Sequence, residues 1–318
     1  MVDKNPVIEL GSYIQDLKIT KEKGNDEVRA YSIKNYLKTK FGKNTYKEIA
    51  KMSNNKYKNI INWLGDAKRD VGIPISELLK LAEILQITEL ELYKKITYLG
   101  GTNTKKYILP KQIDSSLAYL LGYIMGDGHL ANPNDTIGNG SKYNAEIRIT
   151  TIDKHHLEYL QEIFIKLFAY KPPLFKEHNF YRLIGRSKVI HLFLTKICQI
   201  PTGNKKEKTN VPKILNNLEL QKYFLAGFFD ADGSVSIVKN KVRRISIKQH
   251  NKRILEECLE ILIKMGIERP HIYKDNGIRN GKITTASILV IQNQADILKF
   301  IDNFNSLKLI DRGLKKHG

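Results

Sequence analysis

Apolar residues repeat at helical spacing through the first third of the chain, from residue 28 to residue 96. The strongest pattern follows Pro74 and Ser76, and a break at Ser53-Asn54-Asn55 predicts a tight turn between two earlier helices. The apolar positions that mark these helices are Ile33, Leu37, Phe41, Ile49, Met52, Ile60, Ile61, Leu64, Leu78, Leu79, Leu81, Ala82, Ile84 and Leu85. The pattern predicts an all-α N-terminal domain.

Beyond residue 110, helical segments alternate with segments of strand period. Ala145, Ile147 and Ile149, for example, alternate with polar side chains, which is typical of a half-exposed strand. The order α-β-β-α-β-β-α occurs twice, and residues 100–104 have the composition of a linker. We therefore predict an α+β fold, with a helical domain and linker at 1–104 and two related halves at 111–214 and 215–318.

Two short segments near the start of the halves are near copies of each other. One is Leu-Leu-Gly-Tyr-Ile-Met-Gly-Asp-Gly at 120–128, and the other is Leu-Ala-Gly-Phe-Phe-Asp-Ala-Asp-Gly at 225–233. Gly122 and Gly126 share one helix face, and Gly227 and Ala231 take the same places in the second copy. Because small residues let helices approach backbone to backbone, we expect the copies to pack together with their ends level.

Each copy ends in an aspartate followed by a glycine. Gly128 and Gly233 predict left-handed helix caps, which places Asp127 and Asp232 at helix C-termini. Each carboxylate there opposes the helix dipole, and two neighbouring carboxylates repel each other. A divalent cation would remove both penalties, and carboxylate oxygens suit Mg²⁺. The alternative is that the acids only cap surface loops, but two acids in register inside a repeat favour a shared metal site.

Charge and hydropathy narrow the choice of partner and compartment. The 318 residues carry 53 basic and 33 acidic side chains, a net charge of +20, which favours nucleic acid over the alternative of a lysine-rich solvated surface. No apolar run reaches the roughly 18 residues of a membrane span, and the first ten residues lack a signal-peptide core. We expect a soluble intracellular protein, cytoplasmic or in an organellar matrix, that contacts no membrane. Cys198 and Cys258 are expected to be buried free thiols.

Residues 111–318 resemble a single-chain LAGLIDADG (dodecapeptide) homing endonuclease with both motifs present. The second copy matches the motif almost letter for letter, with Asp230 at its sixth position, whereas Met125 replaces that acid in the first copy. The acid at the eighth position, which is essential in the family, is present twice, as Asp127 and Asp232.

The resemblance implies a fold and a chemistry. Two pseudo-symmetric αββαββα halves would form a saddle over the DNA major groove. Asp127 and Asp232 would bind Mg²⁺ or Mn²⁺ beside the scissile phosphates, with help from the main-chain carbonyls of Gly126 and Ala231. Each ion would polarise a phosphate and activate a water. The strands would be cut across the minor groove, leaving 3′ overhangs.

The family also places a basic side chain near each metal ion. The candidates by position are Lys205, with Lys206 as the alternative, in the first half, and Lys308, with Lys315 as the alternative, in the second. Thr151 and Gln249, at the end of the second strand of each half, are candidates for ordering solvent near the metal ions.

Polar positions on the predicted strands are the candidate DNA contacts. Each residue alone is most simply a solvated charge, but a face that alternates with buried residues fits a DNA groove better. The candidates are Asn144, Arg148, Thr150, Arg182, Arg186, Arg243, Arg244 and Lys248.

The stretch from residue 50 to residue 64 resembles the helix-turn-helix of lambda-repressor-like DNA-binding domains, although the usual glycine in the turn is absent. In that family the second helix of the pair lies in the major groove. Here it would present Asn55, Lys56, Tyr57, Lys58, Asn59 and Asn62. The alternative is a small helical bundle with a polar face.

Three functions are compatible with these features. The favoured one is a site-specific double-strand DNA endonuclease, intron-encoded and monomeric, which cuts a long asymmetric site with Mg²⁺ and requires no protein partner. The alternative is a non-cleaving nucleic-acid binder of the same fold, either a transcription regulator or an intron maturase. A self-splicing intein is disfavoured because the chain begins at Met1 and ends at His317-Gly318 rather than in the residues that splicing requires.

Overall fold

A computed structural model describes Tyr13, Leu17 and residues 27–65, 71–101, 105–132, 145–205, 208–279 and 282–315. Two of the candidate site residues, Asn144 and Lys206, lie outside the described residues, as do residues 102–104 of the predicted linker. No helix in the described parts of the chain is long and apolar enough to cross a membrane.

The described residues of the N-terminal part form five helices and a small sheet. The helices are α1 (Lys34–Phe41), α2 (Tyr46–Met52), α3 (Tyr57–Leu64), α4 (Ile75–Ile84) and α5 (Glu89–Lys95). The strands β1 (Arg29–Tyr31), β2 (Ile73–Pro74) and β3 (Tyr98–Gly100) pair in the order β2-β1-β3. The prediction of an all-α domain is wrong on this point, because strands of two or three residues are too short to show a period of two.

The rest of the chain contains the same order of elements twice, as predicted. The first half has α6 (Ser115–Asp127), β4 (Gly128–Leu130), β5 (Glu146–Thr151), α7 (Lys154–Phe168), β6 (Leu174–Glu177), β7 (Phe180–Arg186) and α8 (Lys188–Leu192), which continues as a π-helical turn at Phe193–Ile197. The second has α9 (Leu218–Asp232), β8 (Gly233–Val238), β9 (Lys241–Gln249), α10 (Lys252–Lys264), β10 (His271–Arg279), β11 (Lys282–Ile291) and α11 (Gln294–Asn303). A further short helix, α12 (Leu307–Asp311), follows.

Each half contains one four-stranded antiparallel sheet with the same topology. The orders are β4-β5-β7-β6 and β8-β9-β11-β10. Side chains alternate along each strand, so one sheet face is apolar and buried, as at the pairs Ile149–Leu183 and Ile247–Leu289. The opposite faces carry most of the candidate DNA contacts.

Helices α6 and α9 pack against each other along their small residues, which confirms that prediction. A Cβ atom added at Gly122 would collide with the carbonyl oxygen of Phe224 and lie 2.8 Å from the nitrogen of Phe228. A Cβ atom added at Gly227 would collide with the carbonyl oxygen of Tyr119 in the same way. The contact is therefore reciprocal, and glycine is required on both helices because the obstructing atoms are main-chain atoms.

The glycines that follow the two acids are not left-handed caps, so that prediction is wrong. Gly128 has φ −82° and Gly233 has φ −80°, both in extended backbone. Each glycine starts a strand directly at the end of the helix, and a Cβ atom at Gly128 would lie 2.6 Å from the Cα of Ile124. Glycine is needed here for space and not for its conformational freedom.

The N-terminal part is joined to the first half by side-chain and main-chain contacts. The Tyr13 hydroxyl donates to the carbonyl of Val189, and the Tyr93 hydroxyl donates to the carbonyl of Pro110. Tyr107 forms two main-chain hydrogen bonds with Leu99 in the N-terminal sheet. The Tyr13 contact holds the N-terminal part against the first half, and the other two contacts hold the connecting segment against the N-terminal part.

Candidate active site

Asp127 and Asp232 are the last residues of the two packed helices. A Cβ atom added at Gly126 would lie 2.7 Å from Oδ2 of Asp232, so the second acid sits directly beside the main chain that carries the first. The Asp232 carboxylate also raises the pKa of Asp127, which requires the two acids to be near neighbours. The structure therefore brings both acids to one site at the join between the halves.

In the protein without a metal ion, ionisation of either carboxylate is unfavourable, and the pKa of each is raised. Burial and, next, the Asp232 carboxylate together raise the pKa of Asp127 to about 7, against the opposing effect of the ammonium groups of Lys308 and Lys205. Burial raises the pKa of Asp232 to about 6, against the opposing effects of both lysines and of the Gln249 amide. A bound cation would stabilise two half-buried acids that are costly to ionise together.

One lysine lies at the end of each motif helix. The Lys205 ammonium donates to the carbonyls of Ile124, Met125 and Gly126 at 2.7, 2.9 and 2.8 Å. Burial lowers the pKa of Lys205 to about 8, and the two aspartates oppose that change. The hydrogen bonds to the end of α6 and the influence of both aspartates on the Lys205 pKa place this ammonium group beside the acid pair.

Lys308 takes the corresponding position in the second half. Its ammonium donates to the carbonyls of Phe229, Ala231 and Gly233 at 3.4, 2.8 and 2.7 Å. Burial lowers the pKa of Lys308, and Asp127 is the first of the acids that oppose it. Lys315, the alternative, instead donates to carbonyls at the end of α11 and does not reach this site.

Asp230, at the sixth motif position, is buried and holds the segment that carries Lys308. Its carboxylate accepts from the Ser306 hydroxyl and from the main-chain nitrogens of Leu307 (2.8 Å) and Lys308 (3.0 Å). It also accepts from the Tyr119 hydroxyl of α6 at 2.7 Å. The sequence alone did not predict this role, since the partners of Asp230 at α12 are more than 70 residues away along the chain.

The two candidates for ordering solvent lie in different surroundings. The Gln249 amide donates to Oδ2 of Asp232, so it reaches the acid pair directly. Thr151 occupies the same place in the first half, but its hydroxyl accepts from the main-chain nitrogen of Asp153. Thr151 also lies close to the Tyr123 hydroxyl, one turn before Asp127.

On the first sheet the described candidate DNA contacts share one face. Thr150 pairs with Arg182, and Glu146 pairs with Arg186, while Arg148 lies between them. Glu146 accepts from Arg148 at 2.6 Å and from Arg186 at 3.2 Å. Glu146 was not predicted as a partner of these arginines, although its place two residues before Arg148 in a strand puts both side chains on one face.

Arg182 lies at the edge of that face. Its guanidinium donates to Glu177 at 2.7 Å and lies over the Phe180 ring. Its Nε is buried and makes no hydrogen bond to any described residue. A buried donor without a partner costs free energy in the folded protein.

On the second sheet Arg244 and Lys248 share the face opposite the core. Lys248 donates to Asp275 at 2.6 Å, and Arg244 contacts the Tyr273 hydroxyl at 3.5 Å. Arg243 is exposed at a β-bulge, where the pairing with β8 is irregular. The bulge explains why two consecutive arginines are both accessible.

The predicted turn between α2 and α3 is present, and the candidate residues at the start of α3 are mostly exposed. Lys56, Tyr57, Lys58 and Asn62 are exposed, and Asn59 is half-buried. Asn55 instead donates its amide to Glu77 of α4 at 2.8 Å, which fixes the turn against the next helix. The remaining side chains form one polar surface on the N-terminal part.

The donor set fits a hard divalent cation. Two carboxylates converge at the join, and the carbonyls of Gly126 and Ala231, the two proposed main-chain ligands, lie one residue before each acid. Each of these carbonyls accepts one lysine hydrogen bond at 2.8 Å, which leaves its second lone pair available. Oxygen ligands of this kind suit Mg²⁺ or Mn²⁺ better than zinc.

Comparison of the sequence with known proteins identifies a family match and several relatives. Residues 219–305 match the LAGLIDADG-like domain family. The chain is 30% identical over 210 residues to an uncharacterized protein of Methanocaldococcus jannaschii, covering 63% of this chain and 73% of that protein. It is 26% identical to segments of two longer proteins of the same organism, the glutamine–fructose-6-phosphate aminotransferase and the replication factor C small subunit. In each the match covers 67% of this chain, but only 20% and 11% of those proteins.

Solved structures with similar folds include variants of the homing endonuclease I-DmoI and the N-terminal LAGLIDADG domain of DUF199/WhiA. The I-DmoI match has 25% identity and a TM-score of 0.45, and covers 60% of this chain and 94% of I-DmoI. The WhiA match has 17% identity and a TM-score of 0.40, and covers 62% of this chain and 86% of that domain. By its match to the family and to its archaeal relative, this chain belongs to the LAGLIDADG family.

Proposed function

We propose that this protein is a site-specific double-strand DNA endonuclease that hydrolyses one phosphodiester bond in each strand with Mg²⁺ or Mn²⁺. The observation that carries the proposal is the pair of half-buried acids, Asp127 and Asp232, at the ends of two packed helices. A protein that only binds DNA gains nothing from two such acids, because ionising them together destabilises the fold.

Different residues of the site would bind the metal ions, stabilise the charge on the phosphate and orient the acids. Asp127 and Asp232, with the carbonyls of Gly126 and Ala231, would hold the metal ions. A bound ion polarises the scissile phosphate and lowers the pKa of the attacking water. Lys205 and Lys308 place positive charge where negative charge develops on the phosphate, and burial strengthens that effect. Gln249 fixes the orientation of the Asp232 carboxylate.

The two polar sheet faces would bind the DNA on either side of the acids. Arginine forks pair with guanine edges and phosphates, and an acid that holds the fork in advance reduces the entropy lost on binding. Acids on the two sheets pair with the arginine and lysine side chains that are candidate DNA contacts; these acids are Glu146, Glu177 and Asp275. The unequal faces of the two sheets favour an asymmetric site, which one chain can read without a second copy.

The exposed surface around α3 would supply further contacts outside the central site. Lys56, Tyr57, Lys58 and Asn62 are suited to phosphates and base edges. Because Tyr13 ties the N-terminal part to Val189 of the first half, these contacts would lie at a fixed distance from the cleavage site. Such an arrangement would lengthen the recognised sequence on one side.

The matches to longer proteins also support a homing enzyme. Matched segments occupy a small fraction of an aminotransferase and of a replication factor subunit, two proteins whose names share no activity. A segment shared by unrelated proteins of one organism is expected of a module that copies itself into new loci, and a site-specific endonuclease provides the break that such copying needs.

The test begins with selection of cleaved sites from a randomised DNA library in the presence of Mg²⁺. We expect the selected duplex to be cut in both strands by the wild-type protein, and Asp127→Asn and Asp232→Asn to bind it without cutting. Asp302→Asn, which changes an exposed acid on α11, is the matched control and should cut normally. Tight, selective binding that leaves the DNA intact would instead establish a non-cleaving binder.

A further inference from the structure

A cluster of metal-binding side chains lies apart from the two-acid site, where the first half meets the last helix of the second. His155 and His156 are consecutive residues in the first turn of α7, and Asp311 is the last residue of α12. Nε2 of His155 lies 2.9 Å from Oδ1 of Asp311, and Nε2 of His156 lies 3.0 Å from Oδ2. Two imidazoles from one half therefore converge on one carboxylate from the other.

A hydrogen bond on the side away from Asp311 fixes the ring of the buried histidine, His156. Nδ1 of His156 lies 3.1 Å from the Tyr123 hydroxyl, and the His156 side chain is 1% exposed. An imidazole that binds a metal ion through one nitrogen usually has its other nitrogen fixed by a hydrogen bond. Tyr123 provides that partner, and it fixes the ring of His156 with Nε2 directed at the carboxylate.

The other two ligands leave a route to solvent. The side chains of His155 and Asp311 are 51% and 34% exposed, so an ion could enter and keep a water as a further ligand. The candidate ligand atoms all lie within 4.8 Å of one another. Ligand atoms bound to one tetrahedral zinc ion lie about 3.4 Å apart, so modest side-chain movements would complete the site.

We propose that His155, His156 and Asp311 form a second metal site, which takes a transition-metal ion of the zinc type. Two neutral imidazoles and one carboxylate suit Zn²⁺, whereas Mg²⁺ prefers an all-oxygen set such as that at Asp127 and Asp232. The two sites therefore differ in chemistry as well as in position.

An ion at this second site would act as a clamp between the halves. It would join α7 to α12, and α12 also contains Lys308, whose ammonium lies at the end of α9. The N-terminus of α12 is already held by Asp230, so a metal ion at Asp311 would fix the opposite end. Binding of the ion would restrict the helix that supplies one of the two active-site lysines.

Cobalt(II) provides a test that does not depend on DNA cleavage. With excess Mg²⁺ present to occupy the acid pair, we expect the wild-type protein to bind one equivalent of Co²⁺ and to develop the visible absorption of a tetrahedral nitrogen-containing site. Zn²⁺ should abolish that absorption by displacement. His155→Asn and Asp311→Asn should lose it, and His271→Asn, a change at an exposed histidine of β10, should retain it.

A conservative substitution at Tyr123, the partner of His156, distinguishes a metal site from a hydrogen-bond network that binds no metal. Tyr123→Phe removes only the hydroxyl that fixes His156 and should weaken Co²⁺ binding about 10- to 100-fold while retaining the absorption band. Absence of the band in the folded wild-type protein, or a band unchanged in both His155→Asn and Asp311→Asn, would overturn the proposal. Neither result would bear on DNA cleavage at Asp127 and Asp232.

Discussion

The two halves place an acid and a lysine in matching positions but support the lysine differently. In the first half, Lys205 is held by three carbonyls at the end of α6, and Met125 fills the sixth motif position. In the second half, Lys308 donates to two carbonyls of α9, those of Phe229 and Ala231, and to the carbonyl of Gly233 at the start of β8. Asp230 anchors the main chain beside this lysine. In both halves, therefore, main-chain carbonyls at the end of the motif helix bind the lysine. An acid at the sixth motif position supports the lysine in the second half alone.

The acids differ between the halves as well. Burial raises the pKa of Asp127 to about 7 and that of Asp232 to about 6. The Asp232 carboxylate accepts a hydrogen bond from a strand-end amide, that of Gln249, whereas Thr151 takes the corresponding place in the first half. A fold repeated within one chain can therefore keep the geometry of its site while the cost of charging its two acids differs.

The largest effect is expected where the halves are most alike, at the contact between α6 and α9. Gly122→Ala and Gly227→Ala should each destabilise the protein by at least about 4 kcal/mol, because the added methyl group meets main-chain atoms that cannot move aside. Denaturant unfolding would measure this. Gly185→Ala is the control, since its nearest obstacle is the edge of the Tyr170 ring at 3.3 Å, and it should cost far less. Unequal effects at Gly122 and Gly227 would show that the interface is not reciprocal.

The lysines test whether each half serves one DNA strand. Lys205→Met and Lys308→Met should each slow cleavage about 10²- to 10³-fold, the usual cost of removing a group that stabilises developing charge. The slowed strand should differ between the two variants, so each should accumulate a different nicked product on the selected duplex under single-turnover conditions.

Lys315→Met is a close control for this experiment. Lys315 also donates to three carbonyls at a helix end, that of α11, but lies outside the acid site. Its loss should leave cleavage within a few-fold of wild type. Equal slowing of both strands by Lys205→Met would argue against a division of the strands between the halves.

The sequence was most informative where residue type and local spacing were enough. Gly122 and Gly227 predicted the helix pair, and the positions of Asp127 and Asp232 followed because each acid ends a helix of that pair. Lys205 and Lys308 came from the family resemblance, which supplied a position that periodicity alone did not. The strands β1, β2 and β3 were missed because they are too short to establish a pattern.

Roles that depend on distant parts of the chain were not predictable. Asp230 is recognisable as a motif acid, but its contacts with Ser306 and Lys308 exist only because α12 folds back onto α9. Glu177 holds Arg182 from the neighbouring strand, and Asp275 reaches Lys248 from β10 across the intervening β11. A single sequence does not specify that strand order. Extended backbone at Gly128 and Gly233 likewise depends on the strand that begins there.

The acids should make the metal-free protein less stable as the pH rises. Asp127 has a pKa of about 7 in the folded protein and 3.8 as its ordinary value, so between these values the folded state retains a proton that the unfolded state has lost. Stability is therefore greatest below pH 4 for this group and is lost as the pH rises through 7. The loss between pH 5 and pH 8 should be about 3 kcal/mol.

Variants at the two acids would separate their contributions to this loss. Asp127→Asn should remove most of the pH-dependent change, and Asp232→Asn should remove less, since the pKa of Asp232 is only about 6. Urea unfolding in EDTA at pH 5 and pH 8 provides the measurement, and Mg²⁺ should restore stability at pH 8. An unchanged pH dependence in Asp127→Asn would mean that this acid ionises normally in the folded protein.

The smallest of these effects, about 2 kcal/mol, is expected for Asp230→Asn. The substitution keeps the size of the side chain but weakens the charge-assisted hydrogen bonds from the main-chain nitrogens of Leu307 and Lys308. Met125→Leu is the matched change in the first half and should cost less, because it replaces one buried apolar side chain by another.

Asp230→Asn should also slow the same DNA strand as Lys308→Met, by a smaller factor, because it loosens the main chain that carries that lysine. Thermal unfolding together with strand-resolved cleavage distinguishes this role from a purely structural one, since general destabilisation would slow both strands equally. Loss of cleavage on the strand assigned to Lys205 would instead mean that Asp230 acts through Tyr119 and α6, the other contact of its carboxylate, and not through α12.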